Sequence, residues 1–133
     1  MLFRSDPDLI ARGRQWRDEW GARPVLLCAS TREGEEAQLV PLLAGLDLSG
    51  LLIIIVPRHP QRFEEVAQLL ERAALKYQRR STGTNVSPDT RILLGDSMGE
   101  MFAYYAASDV AIIGGSLLPF GAQNLIEDRK SHV

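Results

Sequence analysis

Arg58 and His59 are the side chains with the clearest potential for chemistry. They lie between Pro57 and Pro60, directly after an apolar run, so the chain presents the Arg58 guanidinium rigidly. A guanidinium held in this way suits a fixed anion such as a phosphate. An ion pair with a neighbouring carboxylate is an equally good interpretation. His59 has no carboxylate nearby in sequence that would mark a catalytic triad, so a structural hydrogen bond is its more common role.

The segment Gly95–Glu100 is a second candidate for anion binding. Here Met98, Gly99 and Glu100 are predicted to open a helix, whose first backbone amides and positive dipole end would face a ligand. The spacing of Ser97 and Glu100 also fits a plain capping box. Gly99 favours a binding role, because glycine within a first helical turn costs stability and often marks the close approach of a ligand.

A third candidate region follows the last apolar run. The pair Gly114 and Gly115 can form a backbone cradle, although glycines are also common turn residues after a strand. Asn124 and Glu127 are three residues apart on one helical face, and a carboxylate there can accept hydrogen bonds from both hydroxyls of a ribose. Asn124 would serve equally well as a helix cap.

Two further patterns narrow the ligand. Glu33, Glu35 and Glu36 fill the first turn of the predicted helix after the first strand, and three carboxylates there would repel a phosphate. No GxGxxG follows the first strand, and neither GxxxxGKS nor GxxxxGKT occurs in the chain. Typical NAD enzymes and P-loop ATPases are therefore excluded.

The elements that must position these residues alternate in type along the chain. Apolar runs of strand length are followed by segments with helical spacing, after a first helix that Asp6 caps and that ends at Trp20. The predicted strands are Val25–Ala29, Leu51–Val56, an edge strand at Tyr77–Ser81, Arg91–Leu94 and a buried last strand at Val110–Ile113. The predicted helices are Glu33–Ala44, capped by Ser30 or Thr31 and kinked or split at Pro41, then Gln61–Tyr77, Met98–Ala107 and one from near Asn124. We expect Arg79 and Arg80 to be solvated.

This alternation predicts an α/β protein with a Rossmann-like, three-layer α/β/α arrangement and a parallel sheet. In a sheet of this kind, ligands bind outside the carboxyl ends of the strands. Every candidate segment above follows a predicted strand. We therefore expect the candidate residues to converge on one edge of the sheet.

Composition agrees with one ordinary globular domain. The 133 residues are 45% hydrophobic and 24% charged with a formal net charge of −2, so no basic surface for nucleic acid or an anionic membrane is expected. Cys28 is the only cysteine and there are two histidines, so we expect neither a disulfide nor a metal site. No signal peptide or membrane-spanning run is evident. These features predict a soluble, cytoplasmic chain without a cofactor.

Five sequence blocks together resemble the 3-deoxy-D-manno-octulosonic acid (Kdo) transferases of Gram-negative lipopolysaccharide synthesis. They occur in order and cover most of the chain from about Arg23 to Glu127. The blocks are Ala29–Glu36, Val56–Phe63, Leu94–Met101 with Tyr104–Ala111, Gly114–Leu117 and Asn124–Glu127.

The resemblance implies a glycosyltransferase with the GT-B fold, in which two Rossmann-like domains face each other across a cleft. Such an enzyme transfers Kdo from CMP-Kdo to a lipid A precursor at the cytoplasmic face of the inner membrane, without a metal. Arg58 would then face the CMP phosphate, and Asn124 with Glu127 would hold the ribose. The implied substrate-binding set is Thr31, Arg58, His59, Met98, Gly99, Glu100, Gly115, Asn124 and Glu127.

The chain also departs from the family pattern, because it resembles only the C-terminal, nucleotide-sugar half. We divide it into an N-terminal segment with a helix that packs on the domain (1–22), an incomplete Rossmann-like domain (23–127) and an atypical polar tail (128–133). The acceptor domain, with its membrane contact and expected catalytic base, has no counterpart, so we expect the chain to be inactive alone but to bind CMP weakly. Arg32 stands where the family often has histidine. Truncation would expose apolar surface around Val110–Ile113 and favour self-association.

Two other hypotheses remain open. A different GT-B protein, such as a UDP-sugar transferase or epimerase, would prefer UDP to CMP. A flavodoxin-like regulatory or interaction domain would need an acidic phospho-acceptor pocket and a lysine after a later strand, and Ile112–Leu118 has no lysine.

Overall fold

Five strands form one parallel sheet in the computed structural model, which describes residues 7–45, 47, 50–83 and 85–114. The strands are β1 (Val25–Thr31), β2 (Leu52–Pro57), β3 (Tyr77–Arg79), β4 (Ile92–Leu94) and β5 (Val110–Ile113). Their order across the sheet is β3-β4-β2-β1-β5. The α-helices of the described ranges are α1 (Pro7–Trp20), α2 (Glu35–Ala44), α3 (Phe63–Arg72) and α4 (Met101–Ala107).

Helices cover both faces of the sheet, since alternate strand residues belong to two separate core clusters. Leu27 and Ile54 pack in the cluster of α1 and α4, whereas Cys28 and Ile55 pack in that of α2 and α3. All six residues of β2 are buried, which explains its unbroken apolar sequence. The predicted Rossmann-like, three-layer α/β/α class with a parallel sheet is therefore confirmed.

The start of α2 differs from the prediction. β1 continues to Thr31, which pairs with Pro57 of β2, so neither Ser30 nor Thr31 is available to cap the helix. Gly34 occupies the N-cap position instead, in a left-handed conformation with φ of 90°. The helix then runs through Pro41 to Ala44 without being split.

The end of α3 also differs from the prediction, because the helix stops at Arg72 and not at Tyr77. Ala74 has a left-handed backbone with φ of 57°. The amides of Ala74 and Leu75 donate to the carbonyls of Glu71 and Leu70, at 3.0 and 3.2 Å. This is the Schellman arrangement that closes many helices, with alanine in the position usually held by glycine.

α1 packs closely on α4, although the two helices lie at opposite ends of the described sequence. A Cβ atom added to Gly13 would lie 2.2 Å from the carbonyl oxygen of Ala103, so only glycine permits this approach. Trp16 contacts the ring of Tyr104 with centroids 5.5 Å apart. Within the described residues, no helix is long and apolar enough to cross a membrane.

β5 lies at one edge of the described sheet and pairs with β1. The prediction of a buried last strand is wrong for the described residues, because Val110 is 60% exposed and Ile113 is 52% exposed. The apolar surface expected around Val110–Ile113 is present.

Candidate functional site

The carboxyl ends of β1 and β2 and the segment between β4 and α4 meet at one edge of the sheet. Ser30, Arg58 and the segment Ser97–Glu100 line a cavity of about 120 Å³ there, and Tyr104 forms part of its wall. A more open depression of about 730 Å³ contains Arg58 together with a mostly charged set: Arg32, Glu33, His59, Gln61, Arg62 and Glu65. Arg58 thus borders both spaces, as expected for a residue that follows a central strand.

The end of β1 has an unusual backbone. Ser30 has φ of 56°, in the left-handed region, at the point where the pairing register between β1 and β2 shifts. A Cβ atom on Gly114 would lie 1.8 Å from the carbonyl oxygen of Ser30, so glycine is required where β5 leaves the sheet. This contact with β1 explains why position 114 is a glycine. Non-glycine residues with a left-handed backbone, such as Ser30, are common at functional sites.

Arg58 is exposed, and no carboxylate among the described residues forms an ion pair with it. Its backbone amide donates to the carbonyl of Thr31 at 2.8 Å, which fixes the start of the loop to the end of β1. A 3₁₀ turn at Pro60–Arg62 follows, held by the amide of Arg62 donating to the carbonyl of His59. His59 is exposed in the same depression as Arg58.

Thr31 and two of the three glutamates after it belong to a buried network. The Thr31 hydroxyl donates to Oε2 of Glu36 at 2.6 Å, and Nη1 of Arg62 donates to Oε1 of Glu36 at 2.5 Å. Glu35 is also fully buried and accepts the backbone amide of Arg32 at 2.7 Å. Glu35 and Glu36 are buried and only Glu33 of the three is exposed, so the repulsion of a phosphate at this turn stays a prediction.

Arg62 is a residue that the sequence patterns did not single out. Its side chain is 11% exposed and forms ion pairs with Glu36 and Glu65, both at 2.5 Å. Burial alone would lower the pKa of Arg62, but the hydrogen bonds to Glu65 and Glu36 outweigh burial and raise it. Arg62 thereby ties the loop that carries Arg58 to the start of α2.

The segment Met98–Glu100 does not open a helix, because α4 begins at Met101. Gly99 has φ of 77°, which is incompatible with a helical turn, and Glu100 occupies the N-cap position without a side-chain cap. The predicted capping box is therefore wrong. Ser97 and Glu100 do interact, but through their side chains, with the Ser97 hydroxyl donating to Oε1 of Glu100 at 2.6 Å.

The Glu100 carboxylate also accepts hydrogen bonds from two arginines. Nη1 of Arg12 donates to Oε2 of Glu100 at 2.8 Å, and Nη2 of Arg80 donates to the same oxygen at 3.1 Å. Burial alone would raise the pKa of Glu100, but the hydrogen bonds from Ser97, Arg80 and Arg12 lower it below its ordinary range.

The prediction that Arg79 and Arg80 are solvated is wrong, because both form ion pairs with carboxylates. Nε of Arg79 donates to the buried carboxylate of Asp96 at 2.7 Å, and a second nitrogen reaches Glu64 at 2.6 Å. The guanidinium of Arg80 lies over the ring of Trp16, 4.8 Å from its centroid. Asp96 additionally accepts the backbone amide and the hydroxyl of Ser81, at 2.8 and 2.6 Å.

Other candidates stay untested by this geometry. Gly115, Asn124 and Glu127, together with the helix predicted near Asn124, lie outside the described residues. In the described ranges, no three His, Cys, Asp or Glu side chains are grouped so that they could hold a metal ion. Cys28 is buried between strands, and burial raises the pKa of its thiol to about 12.

Comparisons with known proteins point to one family. The chain is 49% identical over 121 residues to a 3-deoxy-D-manno-octulosonic acid transferase of Bordetella pertussis, and 40% identical over 114 residues to that of Haemophilus influenzae. These matches cover 86% and 84% of the chain but 28% and 26% of the relatives. The chain thus spans about a quarter of the length of these curated relatives. No protein-family model matches it.

A solved structure supports the same relationship. The crystal structure of the C-terminal CMP-Kdo binding domain of WaaA from Acinetobacter baumannii superposes with a TM-score of 0.75 at 37% identity, over 87% of this chain and 62% of that one. The fold of the chain matches that of this related domain. By homology over most of its length, the chain belongs to the 3-deoxy-D-manno-octulosonic acid transferase family, of which it spans a domain-sized part.

Proposed function

We propose that this chain is the donor-binding portion of a Kdo transferase and binds the CMP moiety of CMP-Kdo. The observation that carries the proposal is the meeting of Arg58 with the Ser97–Glu100 turn in one cavity at the carboxyl ends of the strands. Parallel α/β sheets bind nucleotides at this edge. The similar domain of WaaA is described as binding CMP-Kdo.

Arg58 is the residue proposed to face the CMP phosphate. Its guanidinium is exposed and has no ion-pair partner among the described residues, so it is available for a ligand anion. A guanidinium can donate two parallel hydrogen bonds to phosphate oxygens. Met98, Gly99 and Glu100 line the same cavity, and we propose that their backbone amides are further donors to the phosphate.

For the whole protein, we propose transfer of Kdo from CMP-Kdo to a lipid A precursor at the cytoplasmic face of the inner membrane. The catalytic base and the acceptor contacts would come from a part of the enzyme that this chain does not contain. We also propose that the chain self-associates through the exposed apolar edge at Val110–Ile113. Light scattering that finds a strict monomer at high concentration would contradict this last point.

Calorimetric titration of the chain with CMP, CMP-Kdo and UDP tests the proposal. We expect CMP and CMP-Kdo to bind and UDP to bind more weakly. Backbone amide shifts in NMR spectra should be largest at Arg58 and at Met98–Glu100. Equal affinity for UDP and CMP, or no binding of either, would refute the proposed donor.

A further inference from the structure

The helix α1 reaches the candidate site through one arginine. We propose that Arg12 is a positioning residue, which holds the Ser97–Glu100 turn in its binding conformation through Glu100 and so sets the affinity for the nucleotide donor. This inference rests on the proposed function and assigns a role in it to a helix that precedes the predicted nucleotide-binding region.

The contact between α1 and the turn is direct. Nη1 of Arg12 lies 2.8 Å from Oε2 of Glu100, although 88 positions separate them in sequence. The Glu100 side chain is 11% exposed, whereas that of Arg12 is 46% exposed. Charged hydrogen bonds to a mostly buried carboxylate are stronger than those between exposed groups. Arg12 therefore forms a strong charged hydrogen bond with Glu100 but is not itself part of the core.

A second path joins α1 to the same turn through aromatic rings. Trp16 supports the Arg80 guanidinium, which donates to Glu100 through Nε at 3.2 Å and Nη2 at 3.1 Å. Trp16 also contacts Tyr104, whose hydroxyl lies 2.5 Å from Oγ of Ser97. Ser97 and Glu100, the two ends of the turn, are thus bound by Tyr104 and Arg80. Both of these side chains pack against Trp16 of α1.

The turn needs such support because its own sequence provides little. Gly99 has a left-handed backbone, Met98 is 70% exposed, and α4 begins without a side-chain cap. An uncompensated Glu100 carboxylate beside the cavity would also repel a bound phosphate. Two guanidiniums, those of Arg12 and Arg80, offset this charge beside the proposed anion site.

The matched pair Arg12→Gln and Arg17→Gln tests the inference in the 133-residue chain. Arg17 lies on the same helix and forms an ion pair of the same length with Asp109, at the other end of α4. We expect Arg12→Gln to weaken CMP binding by on the order of threefold to tenfold and Arg17→Gln to leave it unchanged. Arg12→Lys should recover part of the loss. Equal affinity in Arg12→Gln and Arg17→Gln would overturn the inference.

A double-mutant cycle shows whether Arg12 acts through Glu100. Arg12→Gln should cause no further loss of CMP affinity in a Glu100→Gln background, and a full additional loss would contradict the proposed route. The amide NMR signals of Gly99 and Glu100 provide a readout without ligand, since they should shift in Arg12→Gln and not in Arg17→Gln. If the wild-type chain does not bind CMP, the proposed function is wrong, and so is the proposed effect of Arg12 on CMP affinity. The ligand-free NMR shifts then still show whether Arg12 positions the turn.

Discussion

The Thr31 hydroxyl donates a 2.6 Å hydrogen bond to Glu36, a residue with no exposed surface. The same carboxylate accepts from Arg62 at 2.5 Å. Three segments therefore meet on one buried charge: the end of β1, the start of α2 and the turn before α3. This charge lies beneath the loop that presents Arg58, so the proposed phosphate contact depends on a network that is shielded from water.

Replacing Glu36 by glutamine should destabilise the fold by about 3–5 kcal/mol, because Arg62 would lose its buried counter-charge. Urea denaturation followed by circular dichroism measures the free energy of unfolding. The control is Glu65→Gln, since Glu65 binds the same arginine with a side chain that is 60% exposed, and it should cost less than about 1 kcal/mol. Similar losses in both variants would contradict the role given to burial.

Gly13→Ala should destabilise the chain by about 1–3 kcal/mol, because the added methyl group would collide with the carbonyl of Ala103. Gly45→Ala is the matched control. A Cβ atom there would meet its nearest neighbour at 3.7 Å, and the backbone φ of −89° suits alanine. Thermal unfolding should therefore show a lower midpoint for Gly13→Ala alone. An unchanged midpoint would mean that α1 can shift away from α4 without cost.

Arg58→Gln should weaken CMP binding about tenfold to a hundredfold, the range expected for a lost charge-assisted hydrogen bond to phosphate. The free energy of unfolding should not change, since Arg58 has no described ion-pair partner. Arg72→Gln removes an exposed arginine at the end of α3, away from the cavity, and serves as the control. Calorimetric titration that finds equal affinities in the two variants would remove Arg58 from the site.

Asp96→Asn should destabilise the chain by about 1–3 kcal/mol near neutral pH. Burial alone would raise the pKa of Asp96, but hydrogen bonds from Ser81 and Arg79 lower it below the ordinary 3.8. A carboxyl with a lowered folded pKa stabilises the native state above its unfolded pKa, and this contribution is lost as the pH falls through the folded pKa.

The unfolding free energies of wild type and Asp96→Asn should therefore differ most above about pH 5 and converge below the ordinary pKa of Asp96. Urea titrations between neutral and acidic pH provide the comparison. A difference that stays constant over this range would show that the ionised form of Asp96 contributes nothing.

The strands were predictable because burial on both faces of the sheet requires an unbroken run of apolar residues in the sequence. The prediction Leu51–Val56 and the observed β2 at Leu52–Pro57 differ by one residue at each end. Parallel strands in the centre of a sheet need apolar residues at every position, and few other structures produce such runs. The convergence of Arg58 with Ser97–Glu100 follows from topology alone, since parallel strands end at one edge.

The charge networks were not predictable in the same way. Arg79 pairs with Asp96, 17 positions away, and Arg80 pairs with Glu100, 20 positions away. These pairs depend on β3 lying beside β4, and no local periodicity fixes that neighbour. The start of α4 was missed for a different reason, because the spacing of Ser97 and Glu100 suits both a capping box and the side-chain bond that is present.

The packing of α1 on α4 also has a consequence for synthesis of the chain. The ribosome adds about 5–20 residues per second, and Arg12 precedes Glu100 by 88 positions. The apolar face of α1 with Trp16 and Trp20 is therefore synthesised roughly 4–18 seconds before α4, and it has no partner helix during that time. In that interval a chaperone and an aggregating neighbour would compete for the same two indole rings.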